Sequence, residues 1–125
     1  MDKAELQQAA AFLRRRQAAR RVANVGRLQR ARVDFDAITS MLVCKYRPRR
    51  VYQWGSLIDG HGFSDISDID IAVEGLGSAE TYFALIGDAM RMTEFPLDLV
   101  ELEKIEPLHA ESIRRHGRLV YERKD

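Results

Sequence analysis

The chain has 125 residues, 46% of them hydrophobic and 31% charged, which points to one domain with a single core and excludes a disordered chain, a collagen-like chain and a disulfide scaffold. One cysteine, Cys44, cannot close an internal disulfide, and no apolar run approaches the length that crosses a bilayer, so a cytoplasmic protein without a membrane partner is expected. The net charge of +1 conceals two opposed halves: residues 1–50 carry 13 basic and 4 acidic side chains, whereas residues 51–125 carry 7 basic and 15 acidic ones.

Residues 4–23 read as a helix, because Ala, Leu, Gln and Arg favour helices and neither Gly nor Pro interrupts them. Leu6, Ala9, Ala10 and Leu13 give it only a thin apolar stripe. Asn24 and Gly26 predict its end. A second helix is expected over about 28–46, where Leu28, Ala31, Phe35, Ile38 and Leu42 recur at helical spacing as one buried face, with Pro48 as the stop. Residues 51–54 suit a short strand ending at Gly55, followed by a turn of helix and a long loop over 57–67. Ile69, Ile71 and Val73 alternate with Asp68 and Asp70, which is the period of a strand over about 68–74. Ser78 can cap a helix running to about residue 91. A third strand follows over 97–102, then a short helix opened by Pro107 and closed by Gly117, and a last strand at 119–121.

Chemistry concentrates between Gly55 and Asp98. Asp68 and Asp70 stand two apart in a strand and so project from one face. Adjacent carboxylates repel, which raises a pKa or demands a cation, and a hard divalent ion such as Mg²⁺ resolves the conflict. Asp98, between Leu97 and Leu99 on the next predicted strand, either faces solvent or serves the same site. Gly55-Ser56 follows a strand and precedes a helical turn: Gly allows a phosphate close to the backbone, and the helix start and the Ser hydroxyl favour an anion. A phosphate cradle and three carboxylates together describe nucleotidyl or phosphoryl transfer.

Gly55-Ser56 followed by Ser67-Asp68-Ile69-Asp70-Ile71-Ala72-Val73 resembles the signature of the DNA polymerase β-type nucleotidyltransferase superfamily. The small size and the tail from Ile113 through Gly117-Arg118-Leu119-Val120-Tyr121 resemble, more narrowly, its minimal nucleotidyltransferases. The likeness spans roughly residues 38–123 and implies an α+β, palm-like fold: a small mixed sheet with helices packed on one face. An extended helical N-terminal arm, 1–37, would precede a nucleotidyltransferase domain, 38–125. By the same resemblance Asp68, Asp70 and Asp98 would be catalytic and bind two Mg²⁺ ions, and Gly55 and Ser56 would hold the β- and γ-phosphates of ATP or another NTP. The implied reaction moves a nucleoside monophosphate to a hydroxyl and releases pyrophosphate. Minimal members are commonly antitoxins of a helical HEPN-domain toxin, in some cases adding AMP to a toxin tyrosine. One departure stands out: many minimal members place a basic residue after the Gly-Ser, and this chain has Leu57. That feeds an alternative reading, a weak or inactive fold that neutralises its partner by occlusion.

The remaining candidates have plainer readings. Asp65 reads as a turn residue, and Glu101 and Glu103 as a solvated face of the third strand. His61, His109 and His116 lack zinc-like spacing, and His61 reads as a loop residue. Cys44 reads as a core or helix-packing thiol, and Trp54 as core. The basic arm lacks interleaved aromatics, so a solvated face, a protein partner or a homo-oligomer contact is favoured over nucleic acid.

Overall fold

The computed structural model describes residues 1–60, 63 and 67–124, and its longest element, α1 (Lys3–Met41), is one unbroken helix of 39 residues. Asp2 caps it through a capping box with Glu5. The break expected at Asn24 and Gly26 does not occur. A mid-helix glycine costs only about 1 kcal/mol against alanine, which the surrounding Ala, Arg and Leu residues outweigh. The Asn24 carboxamide accepts from Arg27 rather than competing for the backbone. A π-helical turn, Leu42–Tyr46, continues α1 and ends where Arg47 takes a positive φ ahead of Pro48.

The chain then forms β1 (Arg50–Trp54), β2 (Ile69–Glu74), α2 (Ala79–Met90), β3 (Leu97–Glu101), α3 (Pro107–His116) and β4 (Arg118–Glu122). The sheet order is β3-β2-β1-β4. β1 pairs antiparallel with β2 and β4, while β2 and β3 are parallel because α2, capped by the Ser78 hydroxyl, carries the chain back between them.

Strand alternation sorts the side chains into two layers. Val51, Ile69, Ile71, Val73 and Leu99 join Ala31, Phe35, Ile38 and Leu42 of the α1 side and Leu85 and Ala89 of α2 in the main core. This is the face foreseen from the 28–42 periodicity. Tyr52 and Ala72 point the other way and pack with Leu102, Ala110 and Ile113. The mixed sheet is therefore as expected, with α1 and α2 on one face. α3 is the departure: its apolar pair Ala110 and Ile113, one turn apart, covers part of the opposite face.

Polar ties fix the layers. Lys45 and Tyr46 both donate to Asp88 of α2, and these bonds pull its carboxyl down to about 2. Tyr82 donates to the Leu99 carbonyl, and Thr93 donates to Asp34 of α1. Two expectations are corrected. Cys44 is exposed, because two residues past Leu42 it falls about 200° round the helix from the buried face. Glu103 lies beyond β3 and accepts from the Gly75 N–H, so it is not on the strand.

The core begins at about Leu28. Residues 1–23 are all exposed except the half-buried Ala10 and Ala11, so the first half of α1 stands clear of the body. No helix among the described residues is long and apolar enough to cross a membrane.

Candidate active site

The ends of three adjacent strands meet on the α3 face of the sheet. Trp54 of β1 pairs with Asp70 of β2, and Asp70 pairs with Asp98 of β3, so the three form a row across the sheet. Asp68, two residues before Asp70, projects to the same side. One carboxylate oxygen from each of Asp68, Asp70 and Asp98 lies within 4.8 Å of the others. The parallel register of β2 and β3 thus resolves the sequence ambiguity about Asp98 by placing it beside the Asp pair.

The cluster is electrostatically unfavourable as it stands. Asp70 is buried, with 9% of its surface exposed. Burial first, then the neighbouring Asp98 and Asp68 carboxylates, push its pKa up to about 7. Three hard oxygen donors that cannot all ionise without a counter-charge are the donor set a small divalent cation fits.

Gly55 lies against this cluster. Its φ of +79° is a left-handed conformation, and a β-carbon there would fall 1.9 Å from Asp70 Oδ2. Glycine is required twice over, by the backbone angle and by the closeness of the carboxylate. Ser56 follows in a tight turn in which Ile58 N–H donates to the Gly55 carbonyl and Gly60 N–H to that of Ser56. Leu57 is fully buried in the main core. The position after Gly-Ser therefore faces inward, where a cation has no phosphate to meet. Arg32 of α1 and Arg118 of β4 instead approach the turn from its core side, bordering a small cleft with Gln53, Leu57 and Ile58. Arg32 escaped the sequence reading because nothing in its spacing ties α1 to the Gly-Ser turn.

On the α3 face, a cleft of about 440 Å³ opens between the turn and α3, bordered by Trp54, Gly55, Ile58, His109, Ser112 and His116. His109 meets the Trp54 ring edge-on at 5.4 Å. The histidines were set aside for want of metal-like spacing, but their seven-residue separation, about two helical turns, is the signal that puts both on one face of α3. A larger groove, about 560 Å³, lies between α1 and the α2–β3 turn, and neither groove is bordered by any of the three carboxylates. His61 and Asp65 lie outside the described residues.

A mixed sheet of this order that gathers three carboxylates beside a Gly-Ser turn defines a nucleotidyltransferase fold. The family model described as "Polymerase beta, Nucleotidyltransferase" matches residues 36–125, and the chain belongs to that family. No curated protein sequence matches it significantly. Among solved structures, a toxin-antitoxin with AMP-PNP is similar at 21% identity and a TM-score of 0.57, over 70% of this chain and 73% of its own. The toxin-antitoxin MntA-HepT is similar at 18% identity and a TM-score of 0.54, over 74% of this chain and 73% of its own. At such identities the likeness speaks for the fold.

Proposed function

We propose that the chain is a divalent-metal-dependent nucleotidyltransferase that moves AMP from ATP to a hydroxyl, and that it acts as the antitoxin of a HEPN-type toxin whose tyrosine is the acceptor. The observation that carries the reading is the apposition of Gly55 to the Asp68–Asp70–Asp98 cluster, since it brings the Gly-Ser turn directly against a cation site. Similarity to toxin-antitoxin structures, one of them with AMP-PNP, supports the partner class and the nucleotide.

Asp68, Asp70 and Asp98 would hold Mg²⁺, which when bound supplies charge neutralisation at the phosphates. Gly55 and Ser56 would seat the β- and γ-phosphates, the glycine by admitting them to the backbone and the serine by donating its hydroxyl. The acceptor oxygen attacks the α-phosphorus; its bond forms as the bond to the bridging oxygen of the β-phosphate breaks, and pyrophosphate departs. Asp98, the most peripheral carboxylate of the row, takes the acceptor's proton.

A second reading, occlusion of the partner without chemistry, draws on the burial of Leu57, which leaves no cation immediately after the Gly-Ser. Label transfer separates the two. Incubation with Mg²⁺, the toxin and ATP labelled at the α-phosphate should label the toxin. γ-Labelled ATP should not, and Asp70→Asn should abolish the signal. A stable complex with no label in any tube, and toxin still silenced by Asp70→Asn, would replace catalysis with occlusion.

A further inference from the structure

The exposed half of α1 carries a charge pattern that the catalytic reading leaves unused. Between Glu5 and Asp34 the sequence has no acidic residue and eight arginines, and it has no lysine from residue 4 to residue 44. Arg14, Arg15, Arg16, Arg20 and Arg21 are all exposed, and none makes an ion pair among the described residues. Arg16 and Arg20 stand one turn apart, a like-charge spacing that opposes the helix unless an anion intervenes.

We propose that the free half of α1 is a binding element for double-stranded DNA, entering the major groove and contacting the phosphates on both of its walls. Three features favour this occupant. First, at about 100° per residue Arg14, Arg15 and Arg16 point to three different sides of the helix, and Arg21 returns to the side of Arg14 two turns on. A protein face meets one side of a helix, whereas a groove places phosphates on two. Second, the residues between the arginines are mostly Ala and Gln, and Phe12 is capped by Arg16, whose guanidinium lies 5.7 Å from the ring centre. A protein interface gathers its aromatic or aliphatic anchors on one side, whereas the exposed Phe12, Leu13 and Val22 point to different sides of the helix. A bilayer needs one apolar face, and Leu13 and Val22, about two and a half turns apart, lie on opposite sides. Third, a helix about 10–12 Å across fits the roughly 12 Å major groove of B-form DNA, while the deep, narrow major groove of A-form RNA excludes it. The five arginines from Arg14 to Arg21 span about 10 Å, well within one turn of the duplex at roughly 34 Å. Guanidinium, able to bridge phosphate oxygens in pairs, is the side chain this contact calls for.

The test is binding of the full chain to a labelled duplex of about 20 base pairs, two helical turns, in EDTA and without nucleotide, across a salt series. Duplex RNA, single-stranded RNA, polyglutamate and anionic vesicles run in parallel. We expect duplex DNA to bind best, with log K falling against log salt at a slope of about 4 or steeper. Replacing Arg14, Arg15, Arg16, Arg20 and Arg21 by Gln should lower that slope by about 4, at unchanged helix content by circular dichroism. Asp70→Asn should bind like the wild type, so the outcome does not depend on the catalytic reading. Preference of the wild type for RNA, polyglutamate or vesicles would overturn the proposal without recourse to any variant. So would DNA affinity unchanged in the Gln variant, or self-association that the Gln variant alone loses.

Discussion

The α-carbon of Gly55 sits so close to Asp70 that a single added methyl group would overlap the Asp70 carboxylate, 1.9 Å from Oδ2. Gly55 directly follows β1 and Asp70 lies in the antiparallel β2, and the pairing of Trp54 with Asp70 sets the distance between them. Position 55 is therefore coupled to the carboxylate cluster by sterics alone.

Gly55→Ala should damage both fold and site. The substitution forces alanine into a left-handed backbone, at a cost of about 1–2 kcal/mol, and displaces Asp70 besides. We expect a melting temperature lowered by several degrees and label transfer reduced by at least about 100-fold. Full activity in Gly55→Ala would show that Asp70 need not stay where it is.

Much of this geometry was legible in the sequence, and the reasons differ residue by residue. Asp68 and Asp70 announced a shared face because strand period is fixed at two. The buried face of Phe35, Ile38 and Leu42 was legible for the same kind of reason at helical period. Asp98 stayed ambiguous because its side depends on the register between β2 and β3, which no local pattern encodes. Leu57 was read as a missing phosphate ligand, yet it is a core residue: the turn at Gly55-Ser56 aims it inward, and only the packed α1 shows that. The placement of α3 on the opposite face was hidden likewise, since one short apolar pair does not say which side of a sheet it covers.

Asp70→Asn should separate stability from activity. The carboxylate is buried against two others, so the neutral amide relieves desolvation and repulsion together. We expect the metal-free variant to be more stable than the wild type by about 1–2 kcal/mol while transfer falls at least about 100-fold. Denaturant titration without metal, alongside the label assay, checks both. A destabilised apo variant would mean that Asp70 has a structural partner rather than a cation.

The same residue sets a pH dependence. Folded Asp70 holds its proton up to about pH 7, against an ordinary value of 3.8, so the folded state binds more protons than the unfolded one between those limits. Its stabilising contribution is complete below about pH 4 and is lost as pH rises through about 7. Asp88 acts outside that window: its carboxyl is held at about 2, and its contribution is lost only as pH falls below 3.8. We expect the metal-free wild type to lose melting temperature between about pH 4 and pH 7, the Asp70→Asn variant to lose less, and Mg²⁺ to restore the wild type at the upper end. Parallel profiles for the two proteins would place the titration elsewhere.

Leu57→Arg tests whether the absent cation after the Gly-Ser can simply be supplied. Leu57 is fully buried among α1 and sheet residues, so the guanidinium would enter the core without a partner. We expect a loss of more than about 3 kcal/mol and no gain in nucleotide affinity. Leu57→Ala should cost about 2–5 kcal/mol through the cavity it leaves. A folded Leu57→Arg protein with tighter ATP binding would show that the turn can rotate this position toward the phosphates.

Gly26→Ala tests the continuity of α1, the element least expected from the sequence. Gly26 has no positive φ, and an added β-carbon would meet only the mobile end of the Arg30 side chain at 3.4 Å. In a continuous helix the change should stabilise by about 0.5–1 kcal/mol, because alanine loses less backbone freedom than glycine and nothing must move far to admit it. If the chain instead broke at Asn24–Gly26 with the glycine in a left-handed cap, alanine would be strained there and the sign would reverse. Denaturant midpoints, together with helix content by circular dichroism, decide between these. A gain in both identifies one rod running from the capped N-terminus into the core, and with it a rigid mount for the arginines beyond residue 13.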